Sequence, residues 1–157
     1  MDSSKKLKQN NQFILLNEHL LGLSATYIST LIFNKQNKVL YSCSTDPEWS
    51  DEFTSKKLYQ DCHLLQEACR QMNFNNSSFT LAWDFYSPVT EEAKVLEDIR
   101  KYKNISHGVG FCITGSDQTK IMLNIAGKYA DINFGLNVLR NREKIYKETR
   151  RIMLEPI

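Results

Sequence analysis

The chain has 157 residues, 41% of them hydrophobic and 24% charged, with a formal net charge of +2. That length fits one domain, and the composition excludes a disordered chain. The near-neutral charge gives no general attraction to nucleic acid or anionic membrane.

Met1 to Asn11 is polar and lysine-containing and reads as a flexible lead-in, which leaves 12–157 as the folded unit. It lacks the apolar core of a signal peptide, and no run reaches the ~20 apolar residues of a membrane span, so a cytoplasmic protein without membrane contact is expected. Asn11 to Leu23 carries Phe13, Ile14, Leu16, Leu20 and Leu21 at mixed three and four spacing, which predicts an amphipathic helix ended by Gly22. Ala25 to Phe33 is β-branched and aromatic, and Val39 to Cys43 returns after the polar turn Asn34 to Lys38, a hairpin. Asp46-Pro47 is a helix-start signature, followed by helices over Pro47 to about Phe53 and Tyr59 to Met72.

Asn73 to Ser78 reads as a loop and Phe79 to Trp83 as a third strand. Ser87-Pro88 repeats the cap signature, with Glu91 and Glu92 in the first turn of a helix to about Tyr102. His107 to Thr114 and Thr119 to Ala126 form a second hairpin around Gly115 to Gln118. A helix from about Ala130 to Met153 closes the chain. Strands joined by tight turns are antiparallel. The expected fold is therefore α+β, a single antiparallel sheet of about five strands sandwiched between helices.

Enzyme signatures are missing: no GxGxxG, phosphate loop, GxSxG or HExxH occurs. Cys62, His63 and Cys69 match no zinc spacing, and Cys112 with His107 sits badly for nucleophilic catalysis because strand positions five apart face opposite sides. Cys43, Cys62, Cys69 and Cys112 read as reduced thiols. Glu91, Glu92, Glu97 and Asp98 read as a solvated helix face. No enzyme activity, metal or cofactor is expected.

Two segments carry a family resemblance. Phe79 to Ala126 joins Trp83 at a strand end, a helix, and then Asn104-Ile105-Ser106-His107-Gly108-Val109-Gly110-Phe111 leading into a hairpin. Pro47 to Leu65 holds Trp49, Phe53 and Asp61. Together they resemble the N-terminal autoinducer-binding domain of LuxR-type transcription regulators, a quorum-sensing fold related in shape to PAS and GAF sensors. Phe53 stands where the family often has tyrosine, Cys62 stands where it often has proline, and the Trp49-to-Asp61 spacing differs by about one residue.

The resemblance implies a small organic signal, an acyl-homoserine lactone or a different amphiphile, bound by Trp49, Phe53, Asp61, Trp83, Tyr27, Ser29, Tyr41 and Gly108. Trp49 and Trp83 would offer indole N–H groups and apolar faces, and Asp61 would accept a hydrogen bond from the ligand. Tyr27, Ser29 and Tyr41 would line the sheet side, and Gly108 and Gly110 would allow close packing. Trp49 and Trp83 also suit core anchors, and Asp61 suits a helix cap. A homodimer is expected, with DNA contacted only through a C-terminal helix-turn-helix domain absent from these residues. A ligand-free dimerisation module acting on a full-length regulator is the alternative. The basic residues Arg140, Arg142, Lys144, Lys147, Arg150 and Arg151 read as a solvated face of the last helix or as a coupling surface.

Overall fold

The computed structural model describes residues 3–74 and 77–154. Among these residues, five strands form one antiparallel sheet: β1 (Tyr27–Phe33), β2 (Val39–Ser44), β3 (Phe79–Ala82), β4 (Ser106–Thr114) and β5 (Lys120–Gly127), in the order β2-β1-β5-β4-β3. The helices are α1 (Ser3–His19), α2 (Pro47–Ser55), α3 (His63–Phe74), α4 (Glu91–Tyr102), α5 (Phe134–Arg140) and α6 (Arg142–Thr149). The α+β sandwich expected from the residue pattern is thus the fold.

Both hairpin turns are built by short polar side chains that hydrogen-bond their own loop backbone. Asn34 Oδ1 accepts from the Gln36 and Lys38 amides at 2.9 and 3.1 Å. Asp117 Oδ1 accepts from the Thr119 amide at 3.0 Å. Asp46 caps α2 as its position suggests, accepting from the Trp49 amide at 3.0 Å with Pro47 in the first turn.

Period-two alternation splits the sheet into two faces. On one, Ile28, Ile32, Val109, Phe111, Ile113, Ile121, Leu123 and Ile125 pack against Phe13, Leu16 and Leu20 near α1 and against Phe134, Val138 and Ile145 of α5 and α6. The other face meets α2, α3 and α4 through Tyr27, Leu81 and Ala126, with Trp49, Leu64 and Leu96 coming from the helices. Burying each such side chain contributes about 1.5–3 kcal/mol, so both layers are needed to hold the sheet.

Several boundaries differ from expectation: the helix expected over Tyr59 to Met72 is a 3-10 turn, Leu58–Gln60, followed by α3 from His63. α1 begins at Ser3, so residues 3–11 are helical rather than a flexible lead-in, and Met1 and Asp2 lie outside the described residues. α1 ends at His19, and a separate 3-10 turn, Leu21–Leu23, follows it. α4 is capped by Thr90, whose Oγ1 accepts from the Ala93 amide at 3.1 Å, and not by Ser87. The expected terminal helix breaks at Asn141 into α5 and α6, then widens into a π turn over Arg150–Leu154. There the Asn141 side-chain amide donates to the Asn137 carbonyl at 2.8 Å, a local bond that competes with helix continuation.

Candidate functional site

β3 ends where Trp83–Phe85 folds into a single 3-10 turn, closed by the Tyr86 amide donating to the Trp83 carbonyl at 3.0 Å. Beside it, β4 carries a bulge: its pairing with β5 shifts between Ser106 and Val109, and His107 sits at φ 51. Bulges of this kind re-aim side chains next to binding sites. Gly108 follows, and a Cβ there would stand 2.5 Å from two indole carbons of Trp83. The indole therefore lies directly on the glycine, and the absence of a side chain is what admits it.

Around Trp83 lies a cavity of about 220 Å³, walled by Leu64, Tyr86 and Ile105 and by the polar groups of His63, Arg100, Ser106 and His107. Exposed Asp84 and Tyr129 form part of its border. Arg100 is only 6% exposed and Ser106 only 7%. The guanidinium carbon lies 5.8 Å from the centre of the Trp83 ring, a cation–π contact. Its Nη1 reaches only the Cys62 sulfur, at 3.8 Å. Its Nη2 has no partner, and neither does the Ser106 hydroxyl or His63 Nδ1.

His63 Nε2 lies 3.2 Å from the Tyr86 carbonyl, which only accepts, so Nε2 carries the hydrogen. Burial, with the Arg100 charge adding to it, holds the His63 pKa below its usual value against the opposing Tyr86 hydrogen bond. The ring is then neutral, and Nδ1 presents a lone pair. His107 is the opposite case. Burial lowers its pKa, but the Asp84 carboxylate at 2.9 Å and the Tyr129 carbonyl at 2.8 Å outweigh it and raise the value overall. Both ring nitrogens donate, which suits an imidazolium. The acids at the cavity are engaged with their neighbours: Asp84 with His107, and Glu97 with Lys101 at 3.9 Å.

The residues expected at a ligand site divide into three groups. Trp83 and Gly108 meet at the cavity. Tyr27, Trp49 and Phe53 share the hydrophobic cluster to which Trp83 also packs. In that cluster Trp49 is 3% exposed, tilted against Phe53 at 5.8 Å, with Lys103 Nζ 5.3 Å from its ring. Ser29 faces the same helices and accepts from the Asn124 side-chain amide at 3.3 Å. Tyr41 packs into the core on the opposite face of the sheet. Asp61 is exposed at the end of the 3-10 turn Leu58–Gln60. Sequence reasoning did not single out Arg100, Ser106 or Tyr129. Arg100 alone carried a signal: with Ala93 and Leu96 it lies on the buried stripe of α4, where a charge is out of place.

Among the described residues, no group of three His, Cys, Asp or Glu side chains is placed to hold a metal ion, and no helix is long and apolar enough to cross a membrane. The four cysteines are free. Cys112 is 1% exposed, and burial pushes its thiol up to about 11, away from the reactive thiolate.

The fold is that of the N-terminal autoinducer-binding domains of LuxR-family regulators. Escherichia coli SdiA in complex with octanoyl-rac-glycerol aligns with a TM-score of 0.62 at 14% identity over 95% of this chain and 58% of that one. Another SdiA crystal structure aligns at 0.56 and 13% identity over 100% of this chain and 66% of that one. The N-acylhomoserine lactone-dependent LuxR-family factor CepR2 of Burkholderia cenocepacia aligns at 0.62 with 7% identity over 95% of each chain. At these identities the likeness is one of fold. No family model matches the sequence, and no curated protein matches it.

Proposed function

We propose that this chain is the signal-binding part of a LuxR-type transcription regulator, with its ligand in the cavity beside Trp83. The observation that carries the reading is that Arg100, Ser106 and His63, each with a buried polar atom that has no partner, all line one cavity beside Trp83. Ligand sites combine apolar walls with polar groups, and here Leu64, Trp83, Tyr86 and Ile105 stand beside His63, Arg100, Ser106 and His107. Two proteins of the same fold support it: CepR2 depends on an N-acylhomoserine lactone, and SdiA is found with octanoyl-rac-glycerol. In this proposal Trp49, Phe53 and Tyr27 back the aromatic wall without touching the ligand's polar head. DNA contact belongs to a separate domain of the regulator.

A thermal-shift screen of small amphiphiles, including N-acylhomoserine lactones and octanoyl-rac-glycerol, tests the reading. A ligand at a hundred times its Kd adds about 2.7 kcal/mol. For a domain of this size that raises Tm by about 5–11 °C. A screen in which nothing raises Tm counts against a receptor.

The second reading is a ligand-free interaction module. It is favoured by an apolar strip on α1, where Leu7, Ile14 and Leu15 are 62%, 56% and 42% exposed. A homodimer through that strip predicts a concentration-dependent size in solution that Leu7→Lys abolishes. A strict monomer at high concentration sets that reading aside.

A further inference from the structure

The cavity's chemistry goes further than its shape. Arg100 is a permanently charged group held 94% out of water, as its 6% exposure states. Buried charges in folded proteins are paired or coordinate a metal, because an uncompensated one is costly. Yet among the described residues no carboxylate lies within salt-bridge distance of Arg100, and the nearby acids Asp84 and Glu97 are committed to His107 and Lys101. The lone Nη2 and the Ser106 hydroxyl are both donors, and His63 Nδ1 is an acceptor. This set lacks an anion that accepts from Arg100 and Ser106 and a hydrogen that reaches His63.

Resting on the receptor reading above, we propose that the ligand is a small organic carboxylate that also carries a hydroxyl or amide N–H. The carboxylate pairs with Arg100 and accepts from Ser106, and the ligand's own donor meets His63. Arginine's planar fork suits a carboxylate better than a single neutral carbonyl. The cavity of about 220 Å³ is smaller than the ~300–1,000 Å³ typical of drug-sized ligands, so a compact molecule is required.

A matched pair of probes decides it: N-butanoyl-homoserine lactone, which is neutral, and its ring-opened acid, which adds a carboxylate and a hydroxyl to the same skeleton. Octanoyl-rac-glycerol is the neutral amphiphile control. Calorimetric titration of the full chain should give the acid at least tenfold tighter than the lactone. Arg100→Met should weaken the acid at least tenfold and leave the neutral probes within about twofold. Ser106→Ala, a milder change in case the arginine variant folds poorly, should weaken the acid several-fold. If the neutral probes bind as tightly as the acid and both variants leave all affinities alike, the carboxylate inference fails while the receptor reading stands. If no probe binds up to millimolar concentration, both fail.

Discussion

Replacing Gly108 by alanine tests the contact that shapes the cavity. A Cβ at this position would stand 2.5 Å from two indole carbons of Trp83 and 2.7 Å from a third. Carbon atoms pack best at about 3.5–4.0 Å, so the ring must retreat by about 1 Å. The backbone adds no penalty, since none of the described glycines has a positive φ. Overpacking of this kind costs about 1–3 kcal/mol. Trp83 is half-buried on a one-turn helix beside the last strand of the sheet, so it has room to swing and the loss should fall near the middle, about 2 kcal/mol. That lowers Tm by about 4–8 °C. Two glycines calibrate the result. A Cβ on Gly127 meets the Phe134 ring at the same 2.5 Å, but Phe134 is 1% exposed and wedged in the opposite core, so Gly127→Ala should cost more. Around Gly22 nothing lies within 4 Å, so Gly22→Ala should be neutral or gain up to about 1 kcal/mol through the unfolded chain. Urea unfolding of the three variants gives the order. If Gly108→Ala behaves like Gly22→Ala, or costs more than Gly127→Ala, the packing argument at Trp83 is wrong.

Arg100→Met should stabilise the ligand-free protein by about 1 kcal/mol. Relief of an unsatisfied buried donor is worth about 1–3 kcal/mol and the lost Trp83 contact about 0.5–1. A fall in Tm of several degrees would show that Arg100 is already paired. Thr90→Ala should cost about 1 kcal/mol by removing the α4 cap, whereas Ser87→Ala should change stability by less than about 0.5 kcal/mol, both read from denaturant midpoints. The raised pKa of His107 makes its bonds to Asp84 and Tyr129 pH-dependent. A group whose folded-state value is raised stabilises fully below its unfolded value of about 6.5 and loses that contribution as pH climbs through the folded-state value. NMR titration of His107 should find it above 6.5, and Asp84→Asn should bring it down; a value below 6.5 in the unmutated protein contradicts the assigned geometry.

The sheet was legible because alternation, two polar turns and one cap are local signals, and each appears where its residues stand. Helix ends were less so. Ser87-Pro88 and Thr90 are both plausible caps, and the side chain that reaches Ala93 wins. The break at Asn141 depends on a side-chain bond that competes within an otherwise helical run. Of the candidate site, the family likeness had named Trp83, which lines the cavity, and Gly108, whose packing reason appears only in contact with the indole. Tyr41 and Ser29 looked equivalent as strand residues, but Tyr41 pairs with Ile32 and so takes the α1 face, while Ser29 takes the other. Ser106 stood within the family motif and His63 beside Cys62, but neither pointed to this cavity, because only the tertiary fold brings them beside Arg100.

Unsatisfied buried polar atoms elsewhere in the described residues are side-chain amide or hydroxyl oxygens, at Gln9, Gln12, Asn17, Thr114 and Thr149. Each stands on a residue that does not line this cavity. The cavity differs in kind: a charged donor, a hydroxyl and a ring nitrogen without partners stand on three residues that line the same space. Most buried polar groups in proteins find partners, so a cluster that does not is a place where stability has been given up. The bulge at Ser106–Val109 and the left-handed His107 add local strain at the same spot. Strain and missing partners coinciding at one cavity support the ligand site we propose there. The same logic explains why Arg100→Met should leave a more stable protein that no longer distinguishes an acid from its neutral lactone.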